Sequence, residues 1–112
     1  MKHLLSILLS LFLMCSCSSS PQEKAHDLIL GDWVVTKYWD GYKWKIPTSV
    51  TVWTFTQDVV WIQRESTEYS FEGDFLKIGF RTYKYNFKTN DILIIKDHYT
   101  YSYGYELTRD IR

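Results

Sequence analysis

The sequence predicts an all-β fold: an antiparallel up-and-down meander of about eight short strands closing into a small barrel, preceded by one short helix. Three observations carry this. From Asp32 onward apolar and polar residues alternate with a period of two, the repeat of a strand with one dry face. These stretches are rich in β-branched and aromatic side chains, which suit a pleated surface. Turn signals recur at short intervals, at Asp40-Gly41, Gln57-Asp58, Glu72-Gly73-Asp74 and Thr89-Asn90-Asp91. A flat sheet of that many strands would expose long edges, and closure removes them.

The segment before the barrel is an address. Lys2 supplies a positive start, and Leu4 to Met14 is apolar apart from Ser6 and Ser10, as in a secretory signal. As a helix it would span roughly 16 Å against the ~30 Å of a bilayer core, too short to cross a membrane. Met14-Cys15-Ser16-Cys17 resembles the lipobox of bacterial lipoproteins, in which a small residue precedes the cysteine that is acylated and becomes the mature N-terminus. Cys17 follows Ser16 and Cys15 follows bulky Met14, so the resemblance points to Cys17 as the lipidated (palmitate-bearing) residue. It implies a signal peptide over 1–16, a lipidated Cys and tether over 17–25 and a barrel domain over 26–112. An ordinary leader with a leftover disulfide is the plainer alternative. Ser18, where lipoproteins retained at the inner membrane often carry Asp, resembles a signal for the outer membrane.

Cleavage before Cys17 leaves a mature chain with no other cysteine, so one hydrophobic core must hold it. The formal net charge of the whole chain is zero and no basic patch stands out, so nucleic acid is not an expected partner. Five Trp, nine Tyr and six Phe make aromatic rings the outlier of the composition, and all but Phe12 lie in the mature part. Each must be core or contact surface.

The helix comes first. Ser20-Pro21-Gln22-Glu23 has the form of a capping box with proline at the first helical position, and Gly31 stands where a C-cap belongs, which predicts a helix over 21–30. Strands follow at 33–39, 50–56, 59–64, 67–72, 75–80, 82–88, 91–97 and 99–108, with an extra short one near 43–46.

Gly31-Asp32-Trp33, just after a short helix and heading the first strand, resembles the Gly-x-Trp signature of lipocalins. Trp53-Thr54-Phe55-Thr56-Gln57-Asp58 and Tyr69-Ser70-Phe71-Glu72-Gly73-Asp74-Phe75-Leu76-Lys77-Ile78 resemble the phrasing of small lipocalin-like lipoproteins, in the same order. The likeness covers about residues 28–109. It implies a late basic residue packed over the signature tryptophan, a place Arg109 fills, so that Gly31, Trp33 and Arg109 are structural signature residues. The chain is much shorter than ordinary lipocalins and lacks their disulfides.

Tyr83, Tyr85 and Phe87 share one strand face while Thr82, Lys84, Asn86 and Lys88 share the other; the first face points inward, as do Trp53 and Phe55. An eight-stranded barrel is just wide enough for its own side chains, or for one small ligand if those are small. The interior is therefore either filled by its own rings or holds a ligand cavity. Tyr99, Tyr101, Tyr103 and Tyr105 fall on one face of the last predicted strand; inward, they line a pocket with polar tips, and outward they form a stacking platform. Trp39, Tyr42 and Trp44 surround Asp40-Gly41, either as a lid over the mouth or as a plug.

Catalysis finds no support. His26 and His98 have no ligand spacing, so no metal is expected, and no nucleophile motif, glycine-rich phosphate cradle or other cofactor signature occurs. Two functions remain. The first is a membrane-anchored envelope protein that binds a small, partly apolar ligand through Trp39, Tyr42, Trp44, Tyr83, Tyr85, Tyr101 and Tyr103. The second is an envelope interaction module that binds a protein or glycan through exposed aromatics and has a self-filled barrel. In either case Cys17→Ser should block acylation and leave the precursor uncleaved, and normal palmitate incorporation in that variant would refute the lipobox assignment.

Overall fold

The computed structural model describes residues 20–111, so the signal segment and Cys17 lie outside the described residues. Helix α1 (Pro21–Ile29) starts at Ser20, whose hydroxyl accepts the Glu23 amide at 3.1 Å. The chain then enters β1 (Gly31–Trp39) directly, turning at Leu30 and at Gly31, whose φ of +116° is open to glycine. The remaining strands are β2 (Trp44–Lys45), β3 (Val52–Phe55), β4 (Val59–Ile62), β5 (Glu65–Glu72), β6 (Phe75–Ile78), β7 (Arg81–Thr89), β8 (Ile92–Asp97) and β9 (Gly104–Arg109).

Each of β3 to β8 pairs antiparallel with the next, β1 pairs with β3, and β9 returns to pair with β1 from Trp33↔Arg109 to Trp39↔Gly104. Eight strands thus close an up-and-down barrel, and the two-residue β2 extends the free edge beside the end of β1. The expected fold class is the observed one.

The last strand differs from expectation. It begins at Gly104, and residues 98–103 are a connection in which Tyr101 adopts a φ of +53°. A strand from 99 would leave one residue between it and β8, fewer than a hairpin can turn in. Asp97 supplies the turn. It is buried, its carboxylate accepts the Thr100 amide at 2.8 Å and the Thr100 hydroxyl, and its amide donates to the Tyr103 carbonyl at 2.9 Å. The four tyrosines therefore do not form one row: Tyr99 and Tyr101 belong to the exposed connection, while Tyr103 and Tyr105 pack against the core.

Alternation decides what faces inward. Trp53 and Phe55, Leu76 and Ile78, and Leu93 and Ile95 are buried with Val60, Tyr69, Tyr83 and Leu107. Ring contacts run almost continuously through this interior. Phe87 meets Trp33 at 6.2 Å and Tyr85 at 6.0 Å, Tyr85 meets Phe71 at 4.9 Å, and Phe71 meets Tyr69 at 6.4 Å. Tyr69 then meets Phe55 at 5.1 Å, Phe55 meets Trp53 at 6.4 Å, and Trp53 meets Tyr105 at 5.1 Å. All are edge-on or tilted, the arrangement aromatic quadrupoles favour.

One end of the barrel is sealed by α1. Ile29 and Trp33 are fully buried, and the Trp33 indole N–H donates to the Ile29 carbonyl at 2.7 Å. The Arg109 guanidinium lies 4.4 Å from the centre of the Trp33 ring. It also donates to the carbonyls of Leu28, of Leu30 at 3.0 Å and of Asn90 at 3.2 Å, and pairs with Asp91 at 3.1 Å. A helix C-terminus leaves unpaired carbonyls and partial negative charge, and a guanidinium answers both. Trp33→Ala should therefore lower unfolding free energy by about 3–5 kcal/mol in a urea titration, the usual cost of emptying a buried Trp site. An unchanged midpoint would contradict this base.

Candidate functional site

Unbroken alternation along β1 would place Trp33, Val35, Lys37 and Trp39 on one inner face. The strand slips register against β9 between Val35 and Lys37, however, leaving Thr36 as the extra residue of a bulge. The Thr36 hydroxyl is held there by the Glu106 carbonyl at 3.1 Å, the Glu106 carboxylate at 2.9 Å and the Thr108 hydroxyl at 3.2 Å. Beyond the bulge Trp39 stands opposite Gly104, which stands opposite Lys96. Leu93 and Ile95 point inward, so Lys96 and with it Trp39 face outward.

A compact cluster forms on this outer wall. Trp44 pairs with Trp39 across β1 and β2, and the two indoles meet edge-on at 5.5 Å. The Lys96 ammonium sits 4.1 Å from the Trp39 ring centre and 5.4 Å from that of Trp44. Gly104 makes room beneath: a methyl group there would come within 2.6 Å of the Ile95 carbonyl and 3.0 Å of the Lys96 stem. The Trp39 indole N–H donates to the Tyr101 carbonyl at 2.9 Å, tying the β8–β9 connection to the cluster. Tyr101 is half exposed, and its positive φ is a strained choice for a residue with a Cβ.

The β1–β2 loop is equally organised. The Asp40 carboxylate accepts the amides of Tyr42 and Lys43, each at 2.8 Å, and pairs with Lys45 at 2.9 Å. The Lys43 amide, the Lys45 ammonium and the Tyr42 amide hold its carboxyl well below the usual carboxylate range. Tyr42, 90% exposed, projects from this loop. Next to the cluster the wall carries a concavity of about 170 Å³ bordered by Lys84, Tyr85, Asn86, Ile94, Lys96 and Tyr101.

The structure thus brings Trp39, Trp44 and Tyr101 together and places Tyr42 on the adjoining loop. They are neither a lid nor a plug. The rings of Tyr83, Tyr85 and Tyr103 make other contacts, although Tyr85 also borders the concavity. Tyr83 is buried against Tyr103 at 5.9 Å, and burial pushes its hydroxyl pKa up to about 12. Tyr85 belongs to the interior ring chain, and Tyr103 carries the Arg81 guanidinium 4.8 Å from its ring centre. Larger concavities of about 430 and 260 Å³ open to solvent beside β5, and one of about 280 Å³ lies beside β1 and β9, bordered by Val34, Thr36 and Thr108. Among the described residues no group of three His, Cys, Asp or Glu side chains is placed to hold a metal ion. Lys84, Lys96, Thr36 and Gly104 complete the site and were not among the sequence candidates; the outward phase of the two lysines was the available signal.

No family model, curated protein or solved structure matches this chain.

Asp97 governs the loop that carries Tyr101. The Thr100 hydroxyl is the main cause of its lowered carboxyl pKa, with burial opposing. A depressed folded-state pKa stabilises the protein above the ordinary value of 3.8, and that contribution is lost as pH falls through the lower folded value. Asp97→Asn should therefore lower the urea midpoint at pH 6 and flatten its decline below pH ~4. Parallel pH profiles for variant and parent would contradict the clamp.

Proposed function

We propose that this protein is a lipid-anchored, lipocalin-like lipoprotein of the bacterial cell envelope, at the outer membrane, whose barrel is a filled scaffold for an interaction face on its outer wall. The observation that carries this reading is the Thr36 bulge, which turns Trp39 out of the core and onto Trp44 and Lys96. A tryptophan left inside would add to the core; turned outward it offers an indole to a partner. Bulges that re-aim a side chain recur beside functional sites.

Small-ligand binding inside the barrel is supported less, because Trp53, Phe55, Tyr69, Phe71, Tyr83, Tyr85, Phe87 and Tyr105 pack against other interior rings. The position of the face also fits an interaction role. From Gly31 beside α1 to Trp39, β1 climbs about 26 Å at ~3.3 Å per residue. The tether from Ser18 to Pro21 reaches only ~14 Å. An anchor at Cys17 therefore holds the α1 end at the lipid and carries the aromatic end away from it, toward envelope polymer or protein.

Partly exposed indoles bind by stacking a ring face on an apolar surface and excluding water, and Trp and Tyr dominate such contacts. The double variant Tyr42→Ala/Trp44→Ala should bind at least about tenfold more weakly to envelope material in co-sedimentation, a loss typical of an aromatic hot spot. Its urea midpoint should stay near that of the parent. Undiminished binding would overturn the reading.

A further inference from the structure

The concavity beside the tryptophans has a charge pattern that a sheet alone does not explain. Lys84 of β7 and Lys96 of β8 are direct cross-strand partners on the outer face. Like charges so placed repel and weaken the sheet. Lys96 is compensated by the rings of Trp39 and Trp44. Among the described residues Lys84 forms no ion pair.

Three nearby acids have other partners, while Asp74 precedes Phe75, the other cross-strand partner of Lys84. Glu106, opposite Ile94, accepts the Thr36 hydroxyl; Asp97 faces inward and holds Thr100; Asp40 is paired with Lys45. The site is therefore a pocket with two ammonium groups that form no ion pair among the described residues, an apolar floor at Ile94, an amide at Asn86 and tyrosines at Tyr85 and Tyr101. Its volume of about 170 Å³ suits a single ring; a drug-sized ligand takes roughly 300–1,000 Å³.

Resting on the interaction-face reading, we infer that this pocket binds a negatively charged sugar residue of an envelope glycan. The two ammonium groups take the oxyanion. Asn86, which offers both donor and acceptor, takes the ring hydroxyls. Ile94, Tyr101 and the neighbouring Trp39 take the C–H face of the ring. No covalent step is involved.

The test is calorimetric titration of the full lipidated protein in non-ionic detergent at low salt. The probes are tetragalacturonate and its methyl ester, which lacks the carboxylate charge, and glucose 6-phosphate against glucose, which reports whether the charge is carboxylate or phosphate. At least one charged member should bind about tenfold or more tightly than its neutral partner, the difference expected for one hydrogen bond to a charged group. Lys84→Gln should erase most of that preference. Its melting temperature should hold or rise, since the substitution relieves a like-charge pair, so lost binding would not reflect lost folding. Equal binding of charged and neutral members, or no binding of any of the four, would overturn the inference. If the tetrad fails while Tyr42→Ala/Trp44→Ala still loses envelope binding, the interaction face stands without the sugar. If the double variant keeps envelope binding, the face itself is wrong.

Discussion

The Arg109 guanidinium is the contact on which this structure depends, because it joins parts of the chain that are remote in sequence. It covers the Trp33 indole at the head of the first barrel strand, binds carbonyls at the end of α1 and of the β7–β8 turn, and sits on the last strand. Closing a barrel requires the first and last strands to find each other, with the loop-closure entropy that entails. Arg109 and Trp33 occupy opposed positions in that seam. A planar guanidinium stacks and forks at once, which an ammonium does not. With α1 held over this end, Ile29 completes the core from below and the barrel needs no disulfide.

Closure at the base frees the other end of the seam for a different use. The bulge at Thr36 lets β1 keep Trp33 and Val35 inside while moving Trp39 outside, and Gly104 gives the Lys96 stem the space to lie against β9. The interior becomes a run of interlocking rings and the exterior acquires a ring and lysine cluster. One strand therefore feeds the core in its first half and the outer ring cluster in its second.

Much of this was legible from the chain. Period-two alternation marked Trp53, Phe55 and Tyr83 as interior, and all are buried. The capping box at Ser20 located α1, and the stack expected of Arg109 on Trp33 is present. What escaped depends on partners distant in sequence. The bulge at Thr36 is fixed by Glu106 and Thr108, which no local pattern near residue 36 announces. The tyrosines from 99 to 105 alternate as a strand would, yet Asp97 and Thr100 capture the backbone first, so Tyr101 faces solvent where periodicity placed it with Tyr103. Nothing in the sequence around Lys96 announces that Trp39 and Trp44 converge on it.

The five tryptophans report on inside and outside separately. Trp33 and Trp53 are buried, Trp39 and Trp44 form the outer cluster, and Trp61 is an exposed residue of β4. The most direct test of a filled scaffold with an external face is to follow the indole N–H signals of the 15N-labelled protein by NMR while envelope glycan is added. Shifts at Trp39 and Trp44 with Trp33 and Trp53 unmoved are the predicted result. A shift at Trp53 with the outer pair unmoved would place the ligand inside the barrel and contradict the account.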